Sequence, residues 1–272
     1  MRWLVQNLTS ESTFEHLRHI LTQMDIPWMN VKWIPYTDKI VDAQLQGTGQ
    51  DVSTLPEIHI PTDLPVMAYG SYGLARTVKA RGLLPGAFIN EHFTQASWMA
   101  GWGRDTLLNG ECVQMSLGSM QWPESLDKAF LRPEEDTKSF SGTCMARDEF
   151  LSWRDQVLSV DSPSLHADTP IVLAPMQEIY VETRLFVVNR RVVTGSVYKR
   201  GTRVIYDDWI SSDVLEFAQQ QIERWIPDEA FVLDIASTAN GLKIIEVNNI
   251  NSSGIYASNL FKIVEALENL YP

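Results

Sequence analysis

Cysteine is nearly missing from this chain: among 272 residues only Cys112 and Cys144 are cysteines. They form no CxxC pair and build no disulfide framework, so a reducing, cytoplasmic setting is expected. Positive charge is scarce as well, with 22 Lys and Arg against 34 Asp and Glu and a net charge of −12. That balance argues against a nucleic-acid backbone as partner, because such contacts need clustered cations. It leaves room for a phosphorylated small molecule, which needs only a few local cations. No run reaches the roughly 18 apolar residues of a membrane helix, and the opening MRWLVQNLTSES turns polar too early for a signal peptide. Familiar signatures are absent too: there is no Walker A loop and no Gly-x-Ser-x-Gly elbow. His16 and His19 lie three apart on an expected helix but have no third ligand for zinc. GWGR at 101–104 follows no clear strand and carries little weight as a nucleotide loop.

What is present is apolar mass. Hydrophobic residues make up 44%, including nine Trp and ten Phe, enough for a sizeable core. The length fits one large α/β unit or two or three lobes sharing a cleft. Residues 3–5 read as a strand. A capping-box pattern of Ser12 and Glu15 then opens a helix with Phe14, Leu17, Ile20, Leu21 and Met24 at helical spacing. A second apolar strand at 28–34 makes a β-α-β start and predicts a parallel sheet. Residues 65–82 read as strand, glycine turn and helix, and the first lobe is expected to end near 122. Beyond it, 127–133 is a strand and 142–153 a short strand and helix. Residues 170–200 supply three β-rich stretches with a turn at Asn189 and Arg190. Leu215, Ala218, Ile222 and Trp225 line one face of a helix over 213–225. A hairpin (231–238 and 242–248) and a closing helix (257–270) finish the chain.

The stretch KIIEVNNINSSGIY, 243–256, carries the most chemistry. Residues two apart share a strand face, so Glu246 and Asn248 point together. A three-residue loop 239–241 with left-handed Gly241 would set Asp234 opposite Glu246, whereas a two-residue Asn-Gly turn would send the acids to opposite faces. The residues alone leave both registers open. If the acids meet, their repulsion calls for a proton or a cation. Oxygen donors without His or Cys suit magnesium, which commonly carries phosphates. The competing reading is an ion pair with an Arg or Lys across the sheet.

An Asp followed about a dozen residues later by Glu-x-Asn resembles the metal strands of the ATP-grasp superfamily, with Asp234, Glu246 and Asn248 as the magnesium ligands. Other landmarks follow in order. FLRP resembles the strand that faces the nucleotide, with Arg132 in place of the usual lysine. Lys138, in DTKSFSG, falls where a loop folds over the triphosphate, and MQEIYVETRLFVV resembles the hinge strand. There Gln177, Glu178, Ile179 and Tyr180 would hold adenine, Glu182 the ribose, and Arg184 would point into the site. Arg132, Lys138 and Arg184 together resemble the branch of phages and bacteria named for two arginines and a lysine. YGSYGLAR and LPGAFIN are similar, more weakly, to that branch's preceding domain.

The resemblance implies an α/β protein with a Rossmann-like N-terminal domain over 1–122 and an ATP-grasp domain over 123–272, whose two α+β lobes clamp ATP. It implies an ADP-forming ligase that joins a carboxylate to an amine through an acyl phosphate, using ATP and Mg2+. Arg132, Lys138 and Arg184 would stabilise the transferring phosphoryl group. Lys199, Arg200, Ser252, Ser253 and Gly254 are candidates for substrate contact. A small-molecule kinase and a non-catalytic ATP sensor are the alternatives. Substrates are expected to be small molecules or peptides, with no nucleic acid or membrane partner, and some relatives are homodimers.

Overall fold

The computed structural model describes residues 1–8, 13–45, 54–134, 140–160 and 165–271. It opens with β1 (Arg2–Gln6), α1 (Thr13–Gln23) and β2 (Trp28–Ile34). The two strands are parallel, with Trp3 opposite Trp28, as the strand-helix-strand alternation required. Helix α1 buries Phe14, Leu17, Ile20 and Leu21; Ser12 of the expected capping box lies outside the described residues. Then come β3 (Lys39–Asp42), β4 (Val66–Tyr69), α2 (Tyr72–Ala80) and the short β5 (Pro85–Gly86). The sheet order is β3-β2-β1-β4-β5, with β3 antiparallel at one edge. Strands β1 and β4 are covered on both faces, which is why they read as unbroken apolar runs. Ser71 caps α2, its hydroxyl accepting from the Leu74 amide at 3.2 Å.

Helix α3 (Gln95–Trp102) leads to β6 (Val113–Ser116), β7 (Lys128–Pro133), β8 (Thr143–Ala146), α4 (Arg147–Leu158) and β9 (Pro170–Pro175). These four strands make an antiparallel sheet in the order β6-β9-β7-β8. Because β6 pairs with β9, Val113 opposite Leu173, a division at residue 122 would part a strand from its sheet. Leu117, Met120 and Trp122 likewise pack with Leu131, Phe150 and Leu173 in the core of this unit.

The third sheet comprises β10 (Ile179–Val188), β11 (Arg191–Arg200), β12 (Arg203–Asp207), β13 (Ala230–Thr238) and β14 (Gly241–Asn248), with α5 (Ser212–Arg224) and α6 (Leu260–Leu270). Its order is β12-β11-β10-β13-β14. The expected β10–β11 turn is present: Asn189 and Arg190 have φ of 49° and 61°, the left-handed pair that a tight hairpin needs. On α5 the buried stripe is Val214, Ala218 and Ile222, four residues apart each time. Leu215 is therefore turned away and 37% exposed, against expectation. Trp225 follows the helix as its C-cap and packs edge-on against Trp102, ring centroids 4.8 Å apart.

One apolar core joins the first and third sheets. Trp3, Val5 and Leu17 meet Phe186, Val232 and α6 residues Leu260, Ile263, Val264 and Leu267. Each such side chain contributes about 1.5–3 kcal/mol when fully buried. No helix among the described residues is long and apolar enough to cross a membrane.

Candidate active site

The β13–β14 hairpin decides the geometry. Thr238 pairs with Gly241 and Ile235 with Ile244, so the connection is the two residues Ala239 and Asn240. Gly241 is left-handed, φ 87°, as expected, but it belongs to the ladder. Continued regularly, that register would set Asp234 opposite Ile245. A bulge between Asp234 and Ile235 shifts it by one, and Asp234 faces Glu246. The acids share a face through a bulge, a device that re-aims side chains.

On its other side Asp234 faces Arg184 of β10. Arg184 Nε donates to Asp234 Oδ1 at 2.9 Å and Nη2 to Oδ2 at 2.7 Å. This fork-on-carboxylate pair is buried, Asp234 being 1% and Arg184 8% exposed. Burial pushes the Asp234 carboxyl up, and the guanidinium opposes that push. Burial also works against the charge on Arg184, but Asp234 outweighs it and keeps Arg184 protonated. The Asn248 amide nitrogen donates to Glu246 Oε1 at 3.0 Å and to Asp234 Oδ2 at 3.3 Å. Asp234, Glu246 and Asn248 are thus brought together. The alternative of an ion pair across the sheet also holds for Asp234, whose partner is the predicted site arginine itself. Among the described residues no three His, Cys, Asp or Glu side chains cluster as metal ligands; the trio here is two carboxylates and an amide.

Aromatic rings enclose the pair. The Arg184 guanidinium lies 5.0 Å from the Tyr256 ring and 5.6 Å from that of Tyr198. These two rings stack at 4.9 Å, and Tyr206 adds a third layer. The Tyr198 hydroxyl donates to Glu182 at 2.8 Å. Burial, then the charges of Asp234 and Glu182, push its phenol well above the ordinary value. Lys199 forms an ion pair with the same Glu182, so an expected ribose contact and an expected substrate contact hold each other. Arg200 instead reaches Asp207 at 3.3 Å on the exposed strand end.

Between the middle and third sheets lies a cavity of about 300 Å3, lined by Trp98, Phe130, Arg132, Gly142, Glu246 and Asn248 among others. Arg132 on β7 thus faces the acid strand across open space. Lys138 lies outside the described residues. Gln177 and Glu178 are exposed just before β10, Ile179 is half-buried and Tyr180 exposed. Gln177 borders a separate cavity with Arg104 and Lys243, so it does not line the one beside Arg132. Ser252 donates from its amide and hydroxyl to Asn249 Oδ1, at 3.0 and 2.7 Å. The Ser253 hydroxyl bonds Asn249 O, and Gly254 O accepts from Arg184 Nη1 at 3.3 Å. The loop therefore arrives at the site through Gly254.

Some residues escaped sequence reasoning. Asn251 is fully buried, donates to Ala68 O at 2.7 Å and accepts from the Phe88 amide at 2.8 Å, clamping the loop to the first sheet. Its signal was the polar cluster Asn-Ile-Asn-Ser-Ser that follows the last strand. Tyr198, Tyr256 and the α3 residues Gln95 and Trp98 had no such signal, because their roles depend on contacts distant in sequence.

Solved structures share this architecture. D-cycloserine synthetase DcsG aligns with a TM-score of 0.62 at 11% identity, over 99% of this chain and 100% of that one. The RimK domain ATP-grasp protein of Sphaerobacter thermophilus gives 0.59 at 8%, covering 100% and 99%. The D-alanine–D-alanine ligase of Bacillus anthracis gives 0.55 at 13%, covering 100% and 93%. At such identities the likeness is one of fold, and the fold is ATP-grasp. No curated protein sequence matches the chain. A family model described as "ATP-grasp domain, R2K clade family 3" matches residues 86–267, more than half of the chain. This protein belongs to that family.

Proposed function

We propose that this chain is an ADP-forming ligase that joins a carboxylate to an amine, within the branch named for two arginines and a lysine. The observation that carries the reading is the meeting of Arg184, Asp234, Glu246 and Asn248 on one sheet, with Glu246 and Asn248 of that set lining a cavity together with Arg132. One structure of like fold, named above, is a D-alanine–D-alanine ligase. ATP would occupy that cavity, its triphosphate of about four negative charges drawn to Arg132, Arg184 and Lys138, since arginine forks match phosphoryl oxygens. Glu178, Ile179 and Tyr180 would border the adenine, with Gln177 turned to the separate cavity beside Arg104. The first sheet is proposed as a Rossmann-like unit, with its boundary moved ahead of β6.

The donor set fits a hard cation. Asp234 and Glu246 bring carboxylate oxygens, Glu246 lines the cavity and Asp234 is balanced by Arg184. Asn248, whose amide nitrogen bonds both acids, would turn its Oδ1 to a cation held between them. These three would hold magnesium, which supplies charge neutralisation at phosphate oxygens. A substrate carboxylate oxygen attacks the γ-phosphorus, the bond to the β-bridging oxygen breaks, and ADP leaves an acyl phosphate. The amine nitrogen then attacks the acyl carbon, expelling phosphate and losing its proton. Arg132 and Arg184 hold and neutralise the transferring group, and Gly254 with its neighbours positions the acyl end. No protein nucleophile is needed.

An ADP-release screen over carboxylate and amine pairs tests this. Release that requires both substrates and yields amide plus free phosphate is expected. A stable phosphorylated product would make the protein a kinase, and amine-independent silence would make it a nucleotide sensor. Glu246→Gln should lower turnover by about 10²–10³-fold with the melting temperature unchanged; full activity would remove Glu246 from the metal set.

A further inference from the structure

Apart from the start of GWGR at its C-terminal end, helix α3 lies outside every motif read from the sequence, yet it reaches the cavity. Gln95 and Trp98 stand one turn apart, hence on one face, and each is 1% exposed. Gln95 Nε2 donates to Asn109 O at 3.1 Å, which leaves its Oε1 turned the other way as an acceptor. That oxygen takes a hydrogen bond from Arg132 Nη2. The Arg132 guanidinium carbon lies over the Trp98 ring, 4.9 Å from its centroid, and Trp98 lines the cavity. Its indole N–H is buried with no hydrogen-bond partner among the described residues. Packing alone does not call for these side chains. An aliphatic pair would fill the volume without burying a donor, whereas only an oriented amide and a π-face fix the plane of a guanidinium.

The other end of α3 is anchored to the opposite wall. Trp102 Nε1 donates to Gln221 O at 3.0 Å and Trp225 O at 3.1 Å, at the end of α5. Gly101 allows this approach, for a Cβ there would stand 2.3 Å from the Trp225 ring. The GWGR stretch is thus a close-packing device between helices. One rigid helix therefore ties Arg132 of the middle sheet to the sheet that carries Glu246 and Asn248.

We propose that Gln95 and Trp98 are positioning residues of the nucleotide site, fixing the guanidinium of Arg132 where it meets phosphate. This rests on the nucleotide reading above. Calorimetric titration with Mg-AMPPNP tests it on Gln95→Met, Trp98→Leu and Arg132→Ala, alone and paired. Each single change should weaken binding about tenfold, the scale of a hydrogen bond to a charged group. Neither Gln95→Met nor Trp98→Leu should weaken Arg132→Ala further, because their effect passes through Arg132. Trp98→Phe, which keeps a π-face, should restore most of the affinity. Gln95→Glu keeps the volume and hands Arg132 a carboxylate, so it should weaken binding while the ligand-free melting temperature holds. Losses that add in the paired variants, or wild-type affinity in Gln95→Met and Gln95→Glu, would overturn the proposal while leaving the nucleotide site standing. Absence of binding by the wild type would overturn both.

Discussion

Arg184 shows how one residue serves structure and site together. It neutralises a carboxylate that would otherwise be buried alone, and it lies beside two tyrosine rings and the Gly254 carbonyl. Removing one partner of such a pair is costly because the other charge stays behind. Arg184→Ala should therefore lose about 3–5 kcal/mol in urea unfolding, and adding Asp234→Asn should recover part of it. Equal stability of Arg184→Ala and wild type would contradict the pairing. The same logic makes Asp234→Asn a poor probe of metal binding, since it strands Arg184; Glu246 is the cleaner position. Tyr198 offers a pH signature. Its phenol is pushed up by burial and by Asp234 and Glu182, so the folded state keeps its proton where the unfolded chain loses it. Stability should fall as the pH rises past about 10, the ordinary tyrosine range. Tyr198→Phe should flatten that slope, and an unchanged slope would assign it elsewhere.

At the scale of elements, the hairpin and the loop after it do the assembling. The bulge at the Asp234 and Ile235 pairing turns Glu246 and Asn248 toward Asp234. Beyond β14, Asn251 fastens the loop to β4 and to Phe88 through both ends of its amide. Replacing it by Ala would leave a buried carbonyl and a buried amide unpaired, each costing about 1–3 kcal/mol. Asn251→Ala should lower the unfolding midpoint accordingly and weaken Mg-AMPPNP binding by loosening Gly254 from Arg184. A variant with intact stability would show that water or a neighbouring group takes over both bonds. Most strands and helices were legible from period alone, because an apolar stripe needs only local repetition; the short β3, β5, β6 and β12 and helix α3 were not read. The α5 face was read one residue off, since Val214 and Leu215 are equally apolar and only the partner sheet chooses between them.

For the whole molecule, the arrangement of cores matters more than the count of sheets. The first and third sheets share one core through α1 and α6, whereas the middle sheet has its own, around Leu131, Phe150 and Leu173. Separate cores open separately. Hydrogen exchange should release the amides of β7 and β8 through an opening that leaves β1, β10 and β13 protected together. Mg-AMPPNP should slow β7 and β8 selectively, as the cavity beside Arg132 fills. Uniform exchange across all three sheets would argue for a single cooperative unit.

The sequence by itself determined the α/β alternation, the parallel start, the acids and amide of the last hairpin and the ATP-grasp resemblance. Each of these is written in spacing along one strand or helix, or in short motifs held in order. Only the tertiary structure decided that Asp234 meets Glu246 through a bulge and pairs with Arg184, that Lys199 belongs to Glu182, and that α3 reaches Arg132. Those outcomes depend on which buried charge finds which partner across sheets, and desolvation enforces such choices only once distant segments are brought together.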